Sequence, residues 1–222
     1  MLHGFPGIGL VGTIASEFLL EHLQVEQIGK ITVDEMPAMV AIHDNKLVNP
    51  FEIFYNKKYN IVIVHAIAAT QGYEWKLADM VIDLSKRLCV SEIISLEGVA
   101  GNNPEEFKSF FYARLTNSIK KMEKAKIAPL KEGIIIGVTG AMLLKSDSLP
   151  ITAIFSETHS SLPDSKAAAK IIETLDKYLG LKVNYKPLLA QAEGFEKKLQ
   201  DMLKKGNEAV ELSEKKRLSY VG

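Results

Sequence analysis

Short runs of β-branched residues, spaced by stripes with helical periodicity, constrain the fold of this chain more than any other feature. Ile61-Val62-Ile63-Val64, Glu92-Ile93-Ile94-Ser95-Leu96, Gly133-Ile134-Ile135-Ile136-Gly137-Val138 and Ile151-Thr152-Ala153-Ile154-Phe155 are continuous rather than alternating. Strands read this way when a sheet is covered on both faces, as in parallel sheets. Between them, Tyr73, Leu77, Met80, Val81, Leu84 and Leu88 form one helical stripe. Phe107, Phe110, Phe111, Leu115 and Ile119 suggest a second. Ala168, Ile171, Ile172, Leu175 and Leu179 form a third, opening at Pro163-Asp164 and closing at Gly180. Such alternation predicts right-handed β-α-β crossovers and a three-layer α/β/α fold around a mostly parallel central sheet.

Two regions depart from that pattern. Residues 31–55 hold short extended pieces, Ile31-Thr32-Val33, Met39-Val40-Ala41-Ile42, Lys46-Leu47-Val48 and Phe51-Glu52-Ile53-Phe54-Tyr55, with turn chemistry at His43-Asp44-Asn45. They predict antiparallel hairpins added to the edge of the main sheet. From about Tyr185 the composition shifts, so the chain divides into an α/β domain over 1–184 and a C-terminal helical extension over 185–222. The extension carries Leu188, Leu189, Ala192, Phe195, Leu199, Met202 and Leu203 at helical spacing. It then becomes charged and ends Leu218-Ser219-Tyr220-Val221-Gly222. Apolar residues beside a free carboxylate can anchor in a partner's pocket, with the carboxylate meeting a lysine or backbone amides.

Composition narrows the function classes. Lys+Arg and Asp+Glu are both 27, so no global field points to nucleic acid or an anionic membrane. The single cysteine, Cys89, excludes an intramolecular disulfide and fits a reducing, cytoplasmic setting. Its place after Leu88, at the end of an apolar stripe, predicts burial. No signal peptide and no run of 18 apolar residues is evident, so neither secretion nor a membrane span is expected.

The opening, Gly4-Phe5-Pro6-Gly7-Ile8-Gly9-Leu10-Val11-Gly12, spells G-x-G-x-x-G from Gly7 to Gly12. A dinucleotide fingerprint needs a strand before it and an acid roughly 20 residues on. Only Met1-Leu2-His3 precede the motif, and Asp34-Glu35 lie farther on than the fingerprint asks. Thr13-Ile14 stand where a phosphate-binding P-loop would need Lys-Ser/Thr. Gly4, Pro6, Gly7, Gly9 and Gly12 are therefore read as a structural motif that lets a helix pack hard on a sheet.

Catalytic machinery is sparse. Ligands in open α/β sheets gather at the carboxyl ends of strands, where this chain offers His65-Ala66, Glu97-Gly98, Thr139-Gly140 and Glu157-Thr158-His159. Glu97 and Glu157 suit a general base or a ribose ligand, His159 a general acid, and Thr139-Gly140 an anion-binding turn. There is no G-x-S-x-G elbow and no H-E-x-x-H zinc motif. His3, His22, His43, His65 and His159 lack close ligand spacing. No catalytic residue, cofactor or metal is assigned. The alternative ligand site is Glu97, Thr139, Glu157 and His159.

Several segments together resemble the proteasome assembly chaperone 2 (PAC2) family, in particular its archaeal members. They are the glycine opening followed by Ala15, then Gly137-Val138-Thr139-Gly140-Ala141-Met142-Leu143-Leu144, Phe155-Ser156-Glu157-Thr158, Pro163-Asp164-Ser165-Lys166-Ala167-Ala168, and Leu189-Ala190-Gln191-Ala192-Glu193. The resemblance implies a phosphorylase-like α/β fold and a non-enzymatic role as a chaperone of proteasome assembly. It also implies self-association into a homo-oligomer and binding of proteasome α-subunits, or of the α-ring, through a C-terminal tail. Leu218, Tyr220, Val221 and Gly222 would form that tail. Tyr220 stands third from the end, whereas the family's tail carries tyrosine second. The family's strand before the glycine segment has no counterpart by this reading. The alternative function is a nucleoside- or phosphate-handling enzyme at the carboxyl ends of the parallel strands.

Overall fold

The parallel core expected from the β-branched runs is present, but its centre is a strand of three residues. The computed structural model of the 222-residue chain describes residues 1–43, 45–101, 107–145, 147–158 and 162–190, with positions 201, 204, 205 and 208. In chain order the elements are β1 (Leu2–Gly4), α1 (Val11–His22), β2 (Glu26–Lys30), β3 (Ala41–His43), β4 (Lys46–Val48), β5 (Phe51–Asn56) and β6 (Ile61–Ala66). They continue as α2 (Glu74–Arg87), β7 (Ile93–Ala100), β8 (Ser109–Ala113), α3 (Thr116–Lys124), β9 (Ala128–Pro129), α4 (Gly137–Lys145), β10 (Ile151–Thr158), α5 (Ser165–Leu179) and α6 (Lys186–Ala190).

Eight strands form one sheet in the order β2-β5-β6-β1-β7-β10-β8-β9. The four central strands, β6, β1, β7 and β10, run parallel. One face packs Leu2, Ile63, Ile94, Leu96 and Ile154 against Ile14 and Phe18 of α1 and Ile171 and Leu175 of α5. The other packs Val64, Ala66, Ile93 and Ile151 against Leu77 and Val81 of α2 and Val138 and Met142 of α4. Burial of both faces is why these strands carry unbroken apolar runs.

Helix α5 follows its sequence signals closely. The Asp164 carboxylate accepts a hydrogen bond from the Ala167 amide at 2.9 Å, and Gly180 closes the helix at φ 69°. Asp164 also accepts from Thr158 Oγ1 at 2.8 Å, tying the helix start to the end of β10. Asp164→Ala is expected to lower stability by about 1 kcal/mol, measured by urea unfolding at neutral pH. No change in midpoint would mean that the cap is idle.

Several sequence expectations are corrected. The run 133–138 is not a strand: 133–136 has no regular structure, and α4 begins at Gly137. Ile134 and Ile136 are 87% and 67% exposed, so the run has a buried strand's composition without its burial. Thr139 consequently sits in the first turn of a helix rather than at a strand end. The sheet position is taken instead by β1, which pairs with both β6 and β7 and supplies the strand thought to be missing before the glycines. The helix expected over Phe107 to Ile119 divides into β8, antiparallel to β10, and α3. Phe111 is buried while Tyr112 is exposed, the alternation of a strand with one covered face.

In the hairpin region, Ile31-Thr32-Val33 is irregular and the edge strand is β2, antiparallel to β5. β3 and β4 form a separate two-stranded sheet rather than an addition to the main edge. Cys89 is exposed, at φ 50° just beyond α2, because the stripe that buries Leu77 and Val81 has ended. Asp44, His159 and the tail residues Leu218, Tyr220, Val221 and Gly222 lie outside the described residues.

Candidate functional site

The opening glycines bring three backbone segments into contact. Gly12, on α1, lies where a Cβ would stand 2.2 Å from the Leu96 carbonyl oxygen of β7, and a Cβ at Gly4 would stand 2.0 Å from the Gly12 carbonyl oxygen. Real side chains do not approach backbone that closely, so this helix-on-sheet contact requires glycine. Gly9 turns the chain at φ 64°, and its carbonyl accepts from the Asp164 amide at 2.9 Å. Protein atoms thus fill the space that a pyrophosphate would need beside these residues. The geometry is that of a structural motif.

Gly7 is the exception, because it borders a cleft of about 400 Å³ at the carboxyl ends of the parallel strands. Pro6 and Ile8 follow β1, Thr70 and Glu74 follow β6, and Glu97 and Gly98 lie in the second half of β7. Phe155 comes from β10, and residues 134–138 close the cleft on the side of α4. Position and size both suit a small-molecule site.

Glu97 is the chemically distinctive residue there. It is 9% exposed, and Thr139 Oγ1 donates to its Oε1, as does Ser95 Oγ at 3.3 Å. The Ser95 and Thr139 hydroxyl oxygens also lie within hydrogen-bonding distance of each other, and strand β7 and helix α4 jointly hold one carboxyl oxygen. Burial pushes the Glu97 carboxyl up to about 7, against the opposing pull of the hydroxyls of Thr139 and Ser95. Oε2 has no hydrogen-bond partner among the described residues and lies 3.1 Å from where a Cβ would stand on Gly7. The charged residues lining the cleft are Glu74 and Glu97, with no lysine, arginine or histidine among the described residues. An anion placed there would meet two carboxyls, which disfavours phosphate.

The structure therefore unites Glu97 with Thr139. Glu157 does not line the cleft; its carboxylate accepts from the Lys108 amide at 3.4 Å. Two further clusters went unnoticed in the sequence. Ser16 Oγ lies 2.8 Å from His65 Nδ1, and His65 Nε2 lies 2.8 Å from Glu17 Oε2. This has the membership of a catalytic triad, but Ser16 is fully buried beneath Gly4 and lines no described cavity. It fastens α1 to β6. At the opposite end of the sheet, the carboxylate of Glu92, the residue before β7, accepts from Ser118, Thr152 and Tyr178 and so meets α3, β10 and α5. Burial, together with the Glu92 charge, pushes the Tyr178 hydroxyl up to about 12. Both clusters join residues 26 to 86 positions apart, a separation that no short motif signals.

No group of three or more His, Cys, Asp or Glu among the described residues is placed to hold a metal ion. No helix among them is long and apolar enough to cross a membrane. The PAC2 family model matches residues 1–203. The chain belongs to the PAC2 family. An uncharacterized Methanocaldococcus jannaschii protein, MJ0106, is 26% identical over 223 residues, covering all of this chain and 92% of that protein. Pyrococcus furiosus PbaA, described as an archaeal homolog of proteasome-assembly chaperone, is 30% identical with a TM-score of 0.83. That match covers 94% of this chain and 93% of PbaA. A Thermoplasma acidophilum protein of unknown function is 25% identical with a TM-score of 0.80, covering 97% of this chain and 88% of that one.

Proposed function

We propose that this PAC2 protein is a non-enzymatic chaperone or adaptor of proteasome assembly that binds proteasome α-subunits. The observation that carries the reading is the match to the PAC2 family over residues 1–203, joined by 30% identity across nearly the whole of PbaA. The α/β domain serves as a scaffold that self-associates, and the extension from residue 185 presents the tail. Leu218, Tyr220 and Val221 supply apolar anchors, and Gly222 lies beside them at the end of the sequence. A protein that binds the assembled surface in preference to free subunits shifts assembly toward that surface by mass action. Several tails on one oligomer bind at high effective concentration, so weak individual contacts suffice.

Deletion of residues 218–222 is expected to abolish capture of α-subunits on the immobilised protein while leaving thermal stability and oligomeric state unchanged. Among the described residues, the core around β1, β7 and β10 is built from side chains between Leu2 and Leu188. Equal capture by the truncated and full-length proteins would refute the tail's role.

A further inference from the structure

We propose that the cleft at Glu97 binds a small primary amine with an apolar body, the ammonium group being received by Glu97 Oε2. The carboxyl is oriented for this purpose: Thr139 and Ser95 occupy Oε1, leaving Oε2 with no hydrogen-bond partner among the described residues. Glu97 is 9% exposed and lines the cleft, and an ammonium ion is the partner that gives a carboxylate oxygen its strongest hydrogen bond. Gly7 keeps the approach open, since a side chain there would stand 3.1 Å from Oε2. Glu74 adds a second negative charge to the lining and no described residue adds a positive one, so the local field favours a cation. Phe5, Ile135, Val138 and Phe155 line the same cleft and would cover a hydrocarbon body. A volume of about 400 Å³ admits a small molecule rather than a folded partner. The cleft is formed within residues 5–155 and the proposed subunit-binding tail lies at 218–222, so either proposal can fail while the other stands.

The test is titration calorimetry of the full-length protein at pH 8, where the Glu97 carboxyl is ionised and the amine protonated, with isopentylamine beside isopentanol as a neutral probe of similar shape. Isopentylamine is expected to bind with a Kd on the order of 1 mM and the alcohol at least about tenfold more weakly. Glu97→Gln should weaken the amine by a similar factor and leave the alcohol unchanged, and amine-induced amide shifts should centre on Gly7, Ile135 and Val138. Absence of amine binding at 20-fold above that concentration would overturn the proposal. So would equal binding of amine and alcohol to the unmodified protein, a comparison that holds even if the variant fails to fold.

Discussion

Gly12→Ala is expected to destabilise the protein by about 3 kcal/mol or more, and to leave much of it unfolded near physiological temperature. The added Cβ would stand 2.2 Å from the Leu96 carbonyl oxygen, with Gly4 Cα 3.2 Å away. Neither neighbour is a flexible side-chain tip that can rotate aside. Relief requires α1 to lift from β7, and α1 carries Ile14, Ala15, Phe18 and Leu19 in the core. Gly29→Ala is the control, because its Cβ meets only Ile53 Cδ1, at an ordinary 3.6 Å. That substitution should cost less than about 1 kcal/mol. Urea unfolding of the two variants beside the parent measures both effects, and a Gly12→Ala midpoint matching that of Gly29→Ala would contradict the packing argument.

Glu97→Gln is expected to make the protein more stable at pH 8, by as much as about 3 kcal/mol, and to confer little advantage near pH 4.5. Folding raises the Glu97 carboxyl from 4.5 to about 7, so the folded protein favours the protonated form. Its stabilising contribution is complete below about 4.5, falls as pH rises through the window, and is gone above about 7. Glutamine keeps an oxygen to accept from Thr139 and Ser95, carries no charge, and removes this dependence. The difference between variant and parent is the quantity to read, because buried His3 works in the opposite direction. Burial lowers the His3 imidazole from 6.5 to about 3, so its contribution is present above 6.5 and declines as pH falls. Between 4.5 and 6.5 the two slopes partly cancel in the parent and separate only in the comparison. A difference independent of pH would show that Glu97 titrates normally.

The sequence revealed those elements whose local signal and tertiary environment agree. Strands β6, β7 and β10 are buried on both faces, and their residues show it. Helix α5 has a cap, a stripe and a terminal glycine that all point the same way. The signal failed where composition and burial part company. Ile134, Ile135 and Ile136 have strand composition, yet two of the three face solvent above the cleft. β1 is too short for any periodicity, and its place at the sheet centre depends on β6 and β7 arriving from far along the chain. Phe110 and Phe111 match a helical stripe by spacing, but pairing with Ile154 and Phe155 decides the matter in favour of a strand. The candidate site was half legible. Glu97 was evident as a candidate, although β7 runs on past it to Ala100, whereas its bond to Thr139, 42 residues away, depends on α4 folding over the strands.

The proposed role in building the proteasome is tested most directly by assembly itself. Purified α- and β-subunits would be mixed with and without the full-length protein, and the assembled particle followed over time by sedimentation. The account predicts faster formation or higher yield of the particle, lost when residues 218–222 are removed. An unchanged time course at stoichiometric protein, under conditions where the subunits assemble slowly alone, would contradict it.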